Sequence, residues 1–196
     1  KVITLESKAI ANMDGLTTVS FPISVESNNT DVFEGCTKLT KVIITGPETG
    51  SGEMREYAET GIESFQSIKT QIKTIEISNG VTSVGKNAFS SYNITTITWG
   101  NTLQTIKENA FKGCSSLQHV YYLGTTQPTT IGNDIFPSQI TTIKVKSGYG
   151  SSTFNEMTVS KMSESTTNEV KYFLDEETGL FVVYGNGNMG DYDTSS

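Results

Sequence analysis

The chain has 196 residues, of which 35% are hydrophobic and 18% charged, and its formal net charge is −7. That balance argues against nucleic acid or an anionic membrane as partner, because the 14 Lys and Arg are scattered and form no basic stripe. No apolar run reaches the roughly 20 residues of a membrane span, and no secretory leader is visible.

Taken in chain order, a short apolar phrase recurs six times: Leu16-Thr-Thr-Val19-Ser-Phe21, Leu39-Thr-Lys-Val42-Ile-Ile44, Ile72-Lys-Thr-Ile75-Glu-Ile77, Ile94-Thr-Thr-Ile97-Thr-Trp99, Leu117-Gln-His-Val120-Tyr-Tyr122 and Ile140-Thr-Thr-Ile143-Lys-Val145. Successive copies start 23, 33, 22, 23 and 23 residues apart. A period of this size marks a solenoid, whose units bury their apolar faces only by stacking on one another. The residues before the first phrase fit the same slots (Leu5, Ala9, Ile10, Met13 and Leu16), so the chain opens part-way through a coil and reads as a fragment of a longer mature protein.

Each unit carries a second short strand, seen in Val81-Thr-Ser-Val84, Leu103-Gln-Thr-Ile106 and Thr129-Thr-Ile131. Between the two strands lies a compact turn, clearest in Ile106-Lys-Glu-Asn-Ala110-Phe111-Lys-Gly-Cys114-Ser-Ser-Leu117. Stacking identical slots predicts one buried aromatic column of Phe33, Phe65, Phe89, Phe111 and Phe136. A second buried column joins Phe21, Ile44, Ile77, Trp99, Tyr122 and Val145. The long unit between Leu39 and Ile72 holds an insertion, residues 46–61, which is expected to leave the coil because the phrases on either side keep their pattern.

After Val145 the pattern decays, and 161–169 reads as a polar linker or cap. Residues 170–184 give a β-hairpin signal, two β-rich runs around Asp175-Glu-Glu-Thr-Gly179. The division expected is therefore 1–160 for the repeat array, 161–169 for the linker, and 170–196 for the hairpin and the start of a truncated further module.

The repeat resembles the BspA-like leucine-rich repeats, in which an L-x-x-I-x-L strand precedes an I-G-x-x-A-F-x-x-C turn. Asn87-Ala88-Phe89 and Asn109-Ala110-Phe111-Lys112-Gly113-Cys114 are its most specific pieces. The segment Gly185-Asn-Gly-Asn-Met-Gly-Asp-Tyr192 is similar to one that occurs in such proteins where a new array begins. The resemblance implies a mostly β, right-handed leucine-rich-repeat solenoid of about six coils with a parallel β-sheet on its concave side. It also implies a surface or secreted protein engaged in adhesion. The Gly-Cys pair is missing after Phe65, Phe89 and Phe136. A pectate-lyase-like parallel β-helix also stacks short strands, but the regular Ala-Phe turn fits the leucine-rich repeat better.

Few residues suggest chemistry. Cys36 and Cys114 occupy the same slot three coils apart, about 14 Å at one strand spacing per coil, beyond the ~7 Å that a disulfide spans. They are expected to be free and buried. His119, the single histidine, falls at an outward slot with no G-x-S-x-G motif to pair with. Asp175-Glu176-Glu177 and Asp191-Tyr-Asp193 lack the ligand alternation of an EF-hand, and Gly185-Asn-Gly187 lacks a Walker lysine. Two cysteines and one histidine make no zinc site. No catalytic residue, metal or cofactor is expected. Asn28-Asn-Thr30 and Asn93-Ile-Thr95 satisfy the glycosylation sequon, which matters in a eukaryotic source.

What remains is a surface. Strand alternation turns outward one column of Thr18, Lys41, Thr74, Thr96, His119 and Thr142, and another of Ser20, Ile43, Glu76, Thr98, Tyr121 and Lys144. The candidate ligand-binding residues on this face are Lys41, Ile43, Glu76, Thr96, Thr98, His119, Tyr121 and Lys144, with Tyr121 and His119 as exposed hot spots. Glu53, Arg55 and Tyr57 of the insertion form the second candidate. The expected function is non-enzymatic: a cell-surface or secreted module binding extracellular or host proteins. The alternative is a carbohydrate-binding or spacer module.

Overall fold

Thr-rich and β-branched runs separated by Gly and Asn corners favour short strands. The computed structural model describes residues 3–47, 51–163, 165–167, 170–175 and 180–184. In chain order the strands are β1 (Ile3–Thr4), β2 (Thr18–Pro22), β3 (Val25–Glu26), β4 (Lys41–Thr45), β5 (Thr74–Ile77), β6 (Ser83–Val84), β7 (Thr96–Trp99) and β8 (Thr105–Ile106). They continue with β9 (His119–Tyr122), β10 (Thr130–Ile131), β11 (Thr142–Val145), β12 (Thr153–Phe154), β13 (Met157–Lys161), β14 (Ser165–Thr167), β15 (Val170–Asp175) and β16 (Leu180–Tyr184).

The six copies of the phrase become β2, β4, β5, β7, β9 and β11, adjacent and parallel in one sheet of order β12-β13-β11-β9-β7-β5-β4-β2. Six such rungs enclose about five full turns of a β-solenoid. The register is slot on slot, with Val19 opposite Val42, Val42 opposite Ile75, Ile75 opposite Ile97 and Ile97 opposite Val120. The second strands stack as expected, β6 on β8 on β10, and β1 on β3 at the other end.

The core fills the space between these two rows. Ile44, Ile77, Trp99, Tyr122 and Val145 are fully buried, and Phe21 nearly so. Among the turn phenylalanines, Phe33 stacks on Phe65 at 5.2 Å, Phe89 on Phe111 at 5.3 Å and Phe111 on Phe136 at 5.8 Å between centroids. Phe136 is only partly buried, unlike the rest of its column. Each fully buried apolar side chain of this size contributes about 1.5–3 kcal/mol. At the first coil Leu5, Ile10 and Leu16 are partly buried, and Met13 is 50% exposed.

One expectation about the path of the chain needs correction. The described part of the insertion, residues 46–47 and 51–61, does not leave the coil. Glu53 forms a parallel bridge with Ser83, and Met54 N–H donates to the Ser83 carbonyl at 3.1 Å. Thr82 N–H donates to Gly52 and Tyr57 N–H to Lys86, at 2.8 and 3.0 Å. Met54 thereby takes the inward slot that Val84 and Ile106 hold in later coils, and is 2% exposed. The insertion supplies the second strand of its own coil. The next rung requires it there: a Cβ on Gly85 would overlap the Arg55 carbonyl oxygen, so Gly85 lets the two backbones meet.

The sheet continues past Val145, where the repeated phrase ends. β13 adds a seventh parallel rung beside β11, and β12 folds back on it through a hairpin. The two turn residues, Asn155 and Glu156, have φ of 45° and 67°, the sign a type I′ turn requires. Beyond it, β14, β15 and β16 form an antiparallel sheet in which Asp175 pairs with Leu180. Those last two strands are the runs expected of the hairpin. Its connecting Glu176-Glu-Thr-Gly179, the 185–192 segment and Asp191 and Asp193 lie outside the described residues.

Candidate functional site

The outward columns exist as the alternation requires. Lys41, Thr74, Thr96 and His119 are consecutive register partners, and so are Ile43, Glu76, Thr98, Tyr121 and Lys144. Lys41 Nζ reaches diagonally to Glu76 Oε2 at 2.8 Å, with both side chains more than a third exposed. Ile43, between Ser20 and Glu76 in its own column, is partly exposed.

The far half of the face is different. Tyr121 is 0% exposed and Thr98 8%, so neither is an accessible contact as the outward alternation implied. Tyr121 is not part of the apolar core. Its ring lies 6.4 Å from the His119 ring and 5.6 Å from Lys144 Nζ, a stacked and a cation-π arrangement. A tyrosine lying along a sheet is shielded by its long neighbours, and alternation fixes direction without fixing exposure. His119 and Lys144 stay partly exposed above it, and Thr142 is exposed beside them. The column of Ile43 is therefore accessible from Ser20 to Glu76 and closes at Thr98 and Tyr121, while the column of Lys41 stays at least partly exposed through Thr96 and His119 to Thr142.

The insertion residues come together in a second cluster. Glu53 is exposed. The Arg55 guanidinium pairs with Glu63 Oε2 at 2.5 Å and lies 4.4 Å from the Tyr57 ring centre. Burial pushes the Tyr57 phenol up to about 12, although the Arg55 charge opposes it. Glu63 starts the 3-10 helix Glu63–Ile68, which replaces the regular Ala-Phe turn of this coil. Arg55, Tyr57 and Glu63 serve packing and pairing, whereas Glu53 takes no part in this cluster among the described residues.

Beside this cluster the turns carry an ion-pair ladder that the sequence reading did not find. Lys107 Nζ meets Glu56 Oε1 at 3.0 Å, Lys86 pairs with Glu108, Lys8 with Glu34 at 2.9 Å and Lys112 with Asp134 at 3.6 Å. Each joins different coils. Three of the four pairs lie about one repeat apart in sequence, and that spacing was the available signal; Lys107 and Glu56 lie two repeats apart. A shallow groove between Lys86, Lys107, Glu56 and Glu108 is thus lined by charges already neutralised in pairs.

Cys36 and Cys114 are free and buried. Cys36 Sγ donates to the Ile10 carbonyl at 2.9 Å and Cys114 Sγ to the Phe89 carbonyl at 3.1 Å, in each case one coil back. After Phe89, where the Gly-Cys pair is missing, Tyr92 takes the slot and its hydroxyl donates to the Ile62 carbonyl at 3.0 Å. Burial raises the Cys114 thiol to about 12 and Tyr92 well above its ordinary value. Among the described residues no three His, Cys, Asp or Glu side chains gather as metal ligands. No helix there is long and apolar enough to cross a membrane.

What the molecule offers is a rigid stack of coils with an extended polar face. No curated protein and no solved structure matches the chain. The family described as the BspA type leucine rich repeat region matches residues 1–66 and 58–173, in six copies. That family suits a repeat protein with a protein-binding or surface role, and this chain belongs to it.

Proposed function

We propose that the chain is a non-enzymatic, extracellular binding module, displayed on a cell surface or secreted, that attaches to proteins of a host or a neighbouring cell. Its contact surface is the accessible part of the outward sheet face, centred on Ile43. The observation behind this reading is that Ile43 is a partly exposed aliphatic side chain, flanked by the Lys41–Glu76 ion pair and a border of Thr18, Ser20 and Thr74. An apolar anchor inside a polar, hydrogen-bonding rim is the composition of a protein-recognition patch.

The carbohydrate-binding alternative needs an exposed aromatic ring to stack on a sugar. Among the described residues Trp99, Tyr92, Tyr121, Tyr122 and Tyr149 are buried, while the partly buried Tyr57 and Phe136 rings are respectively covered by Arg55 and stacked on Trp99 and Phe111, which favours a protein partner. The test is a screen of the purified chain against extracellular-matrix proteins and a glycan array, with Ile43→Glu and His119→Ala/Tyr121→Ala run beside it. Protein binding lost in Ile43→Glu supports the assignment. Binding that survives Ile43→Glu removes this face from the proposal, and glycan-only binding replaces the reading with the alternative.

A further inference from the structure

The two glycosylation sequons sit in opposite environments. Asn28 is exposed on the irregular segment that follows β3, and Thr30 at the hydroxyl position is exposed as well. Its neighbours hold the segment in place. Ser27 Oγ donates to the Leu5 carbonyl at 2.8 Å, Asn29 Nδ2 donates to the same oxygen at 2.9 Å, and Asn29 N–H donates to Ser27 Oγ at 3.1 Å. Pinning the residues on either side fixes the backbone at Asn28, which is itself exposed. In the second sequon every residue is engaged. Asn93 Nδ2 donates to the Thr70 carbonyl at 2.9 Å, and Asn93 Oδ1 accepts from Ser116 Oγ at 2.5 Å. Ile94 is fully buried, and Thr95 Oγ1 donates to the Lys73 carbonyl at 3.2 Å.

We infer that Asn28 is an acceptor for an N-linked oligosaccharide and that Asn93 is closed to one. The donor is an oligosaccharide carried on a polyprenyl pyrophosphate, transferred by a membrane oligosaccharyltransferase. Asn28 Nδ2 attacks the anomeric carbon; the N–C bond forms and the bond from that carbon to the pyrophosphate oxygen breaks. The amide loses one proton and the polyprenyl pyrophosphate leaves. A sugar on Asn93 Nδ2 would crowd the Thr70 carbonyl 2.9 Å away and disturb the contacts by which Asn93 ties three coils together, so a chain glycosylated there before folding is depleted from the folded, secreted product. Asn28 lies beyond β3 in the second row of strands, away from the column of Ile43, so a glycan there leaves the proposed contact face open. That use of the site rests on the extracellular reading above; the acceptor property itself does not.

The experiment secretes the full chain from a eukaryotic host behind a cleavable leader and reads the mobility shift on treatment with an amide-cleaving endoglycosidase. Asn28→Gln and Thr30→Ala test the first sequon independently, and Thr95→Ala tests the second. A Gly150→Asn variant places a reporter sequon ahead of Ser151 and Ser152, where an added Cβ meets nothing closer than the Thr125 carbonyl oxygen at 3.7 Å. The expected result is one glycan on the parent chain, lost in Asn28→Gln and in Thr30→Ala and kept in Thr95→Ala, with a second glycan in the reporter. A parent chain without a glycan while the reporter carries one overturns the inference, as does a shift that persists in Asn28→Gln. A failure of the binding screen would leave this result untouched.

Discussion

The buried thiols show how a single slot joins neighbouring coils. Cys36, Tyr92 and Cys114 differ in shape, yet each sends its one donor to a carbonyl of the preceding coil. The Phe89 and Ile62 carbonyls also accept from the Tyr92 and Phe65 N–H groups, so the thiol and the hydroxyl each add a second bond there, worth about 0.5–1.5 kcal/mol. Cys114 is therefore expected to resist alkylation in the folded protein and react only on unfolding, a difference that mass spectrometry across a urea series reads directly. The same protons set a pH dependence. Cys114 rises from 9.0, and Tyr57 and Tyr122 from 10.0, each to about 12, chiefly because burial disfavours the anion. The unfolded chain sheds these protons first. Stability is thus full below about pH 9 and falls as the pH climbs toward 12, so the urea midpoint should drop across that window and hold steady below it. At this scale the inward residues were legible, because period and slot decide them. Tyr121 was not: its direction follows from alternation, but its exposure depends on what His119 and Lys144 do with their length. Ile43→Glu, facing outward, should cut partner affinity at least about tenfold while costing about 1 kcal/mol of stability, because the new carboxylate faces Glu76 across the register, as binding assays and urea melts would record.

The long unit teaches the most among the elements. An irregular gap in a repeat looks like a loop, and Gly-Ser-Gly strengthens that look. Yet Met54 fills the inward slot and the flanking backbone bonds to 82–86. Met54→Ala should therefore destabilise by about 2–5 kcal/mol in urea unfolding; a protruding loop would lose almost nothing. The hairpin of β12 and β13 escaped the repeat template for a different reason, since it keeps the rung but reverses the chain through Asn155 and Glu156. The opposite edge of the sheet is β2. Thr17 accepts from Lys41 and Ile23 donates to Thr45, so the residues between them alternate, and Pro22 falls among those whose backbone faces away from β4. Proline there removes an N–H that could pair with another chain. Pro22→Val should raise concentration-dependent self-association, seen by sedimentation velocity, with little change in fold.

Over the whole molecule, stability adds coil by coil, since each coil touches its neighbours and little else. The last turns are closed by an aromatic group in which Phe154 lies 5.9 Å from Trp99, 5.3 Å from Tyr122 and 6.5 Å from Tyr149. Phe154→Ala should cost about 3–5 kcal/mol and melt the β9–β13 end before the β2–β5 end, as hydrogen exchange resolved along the chain would show. The solenoid was readable from six phrases because stacking forces every copy to meet the same neighbours. The partner was not, because an outward side chain meets only solvent within its own chain.

The in-register ladder also has a mechanical consequence. The chain enters at one end of the stack and leaves near the other, so tension between those ends pulls along the sheet's hydrogen bonds and opens them one rung at a time. Releasing one coil, such as the 22 residues from Ile75 to Ile97, pays out about 75 Å of extended chain. A tether built this way lengthens in steps under load, and each coil still folded keeps its own outward face intact.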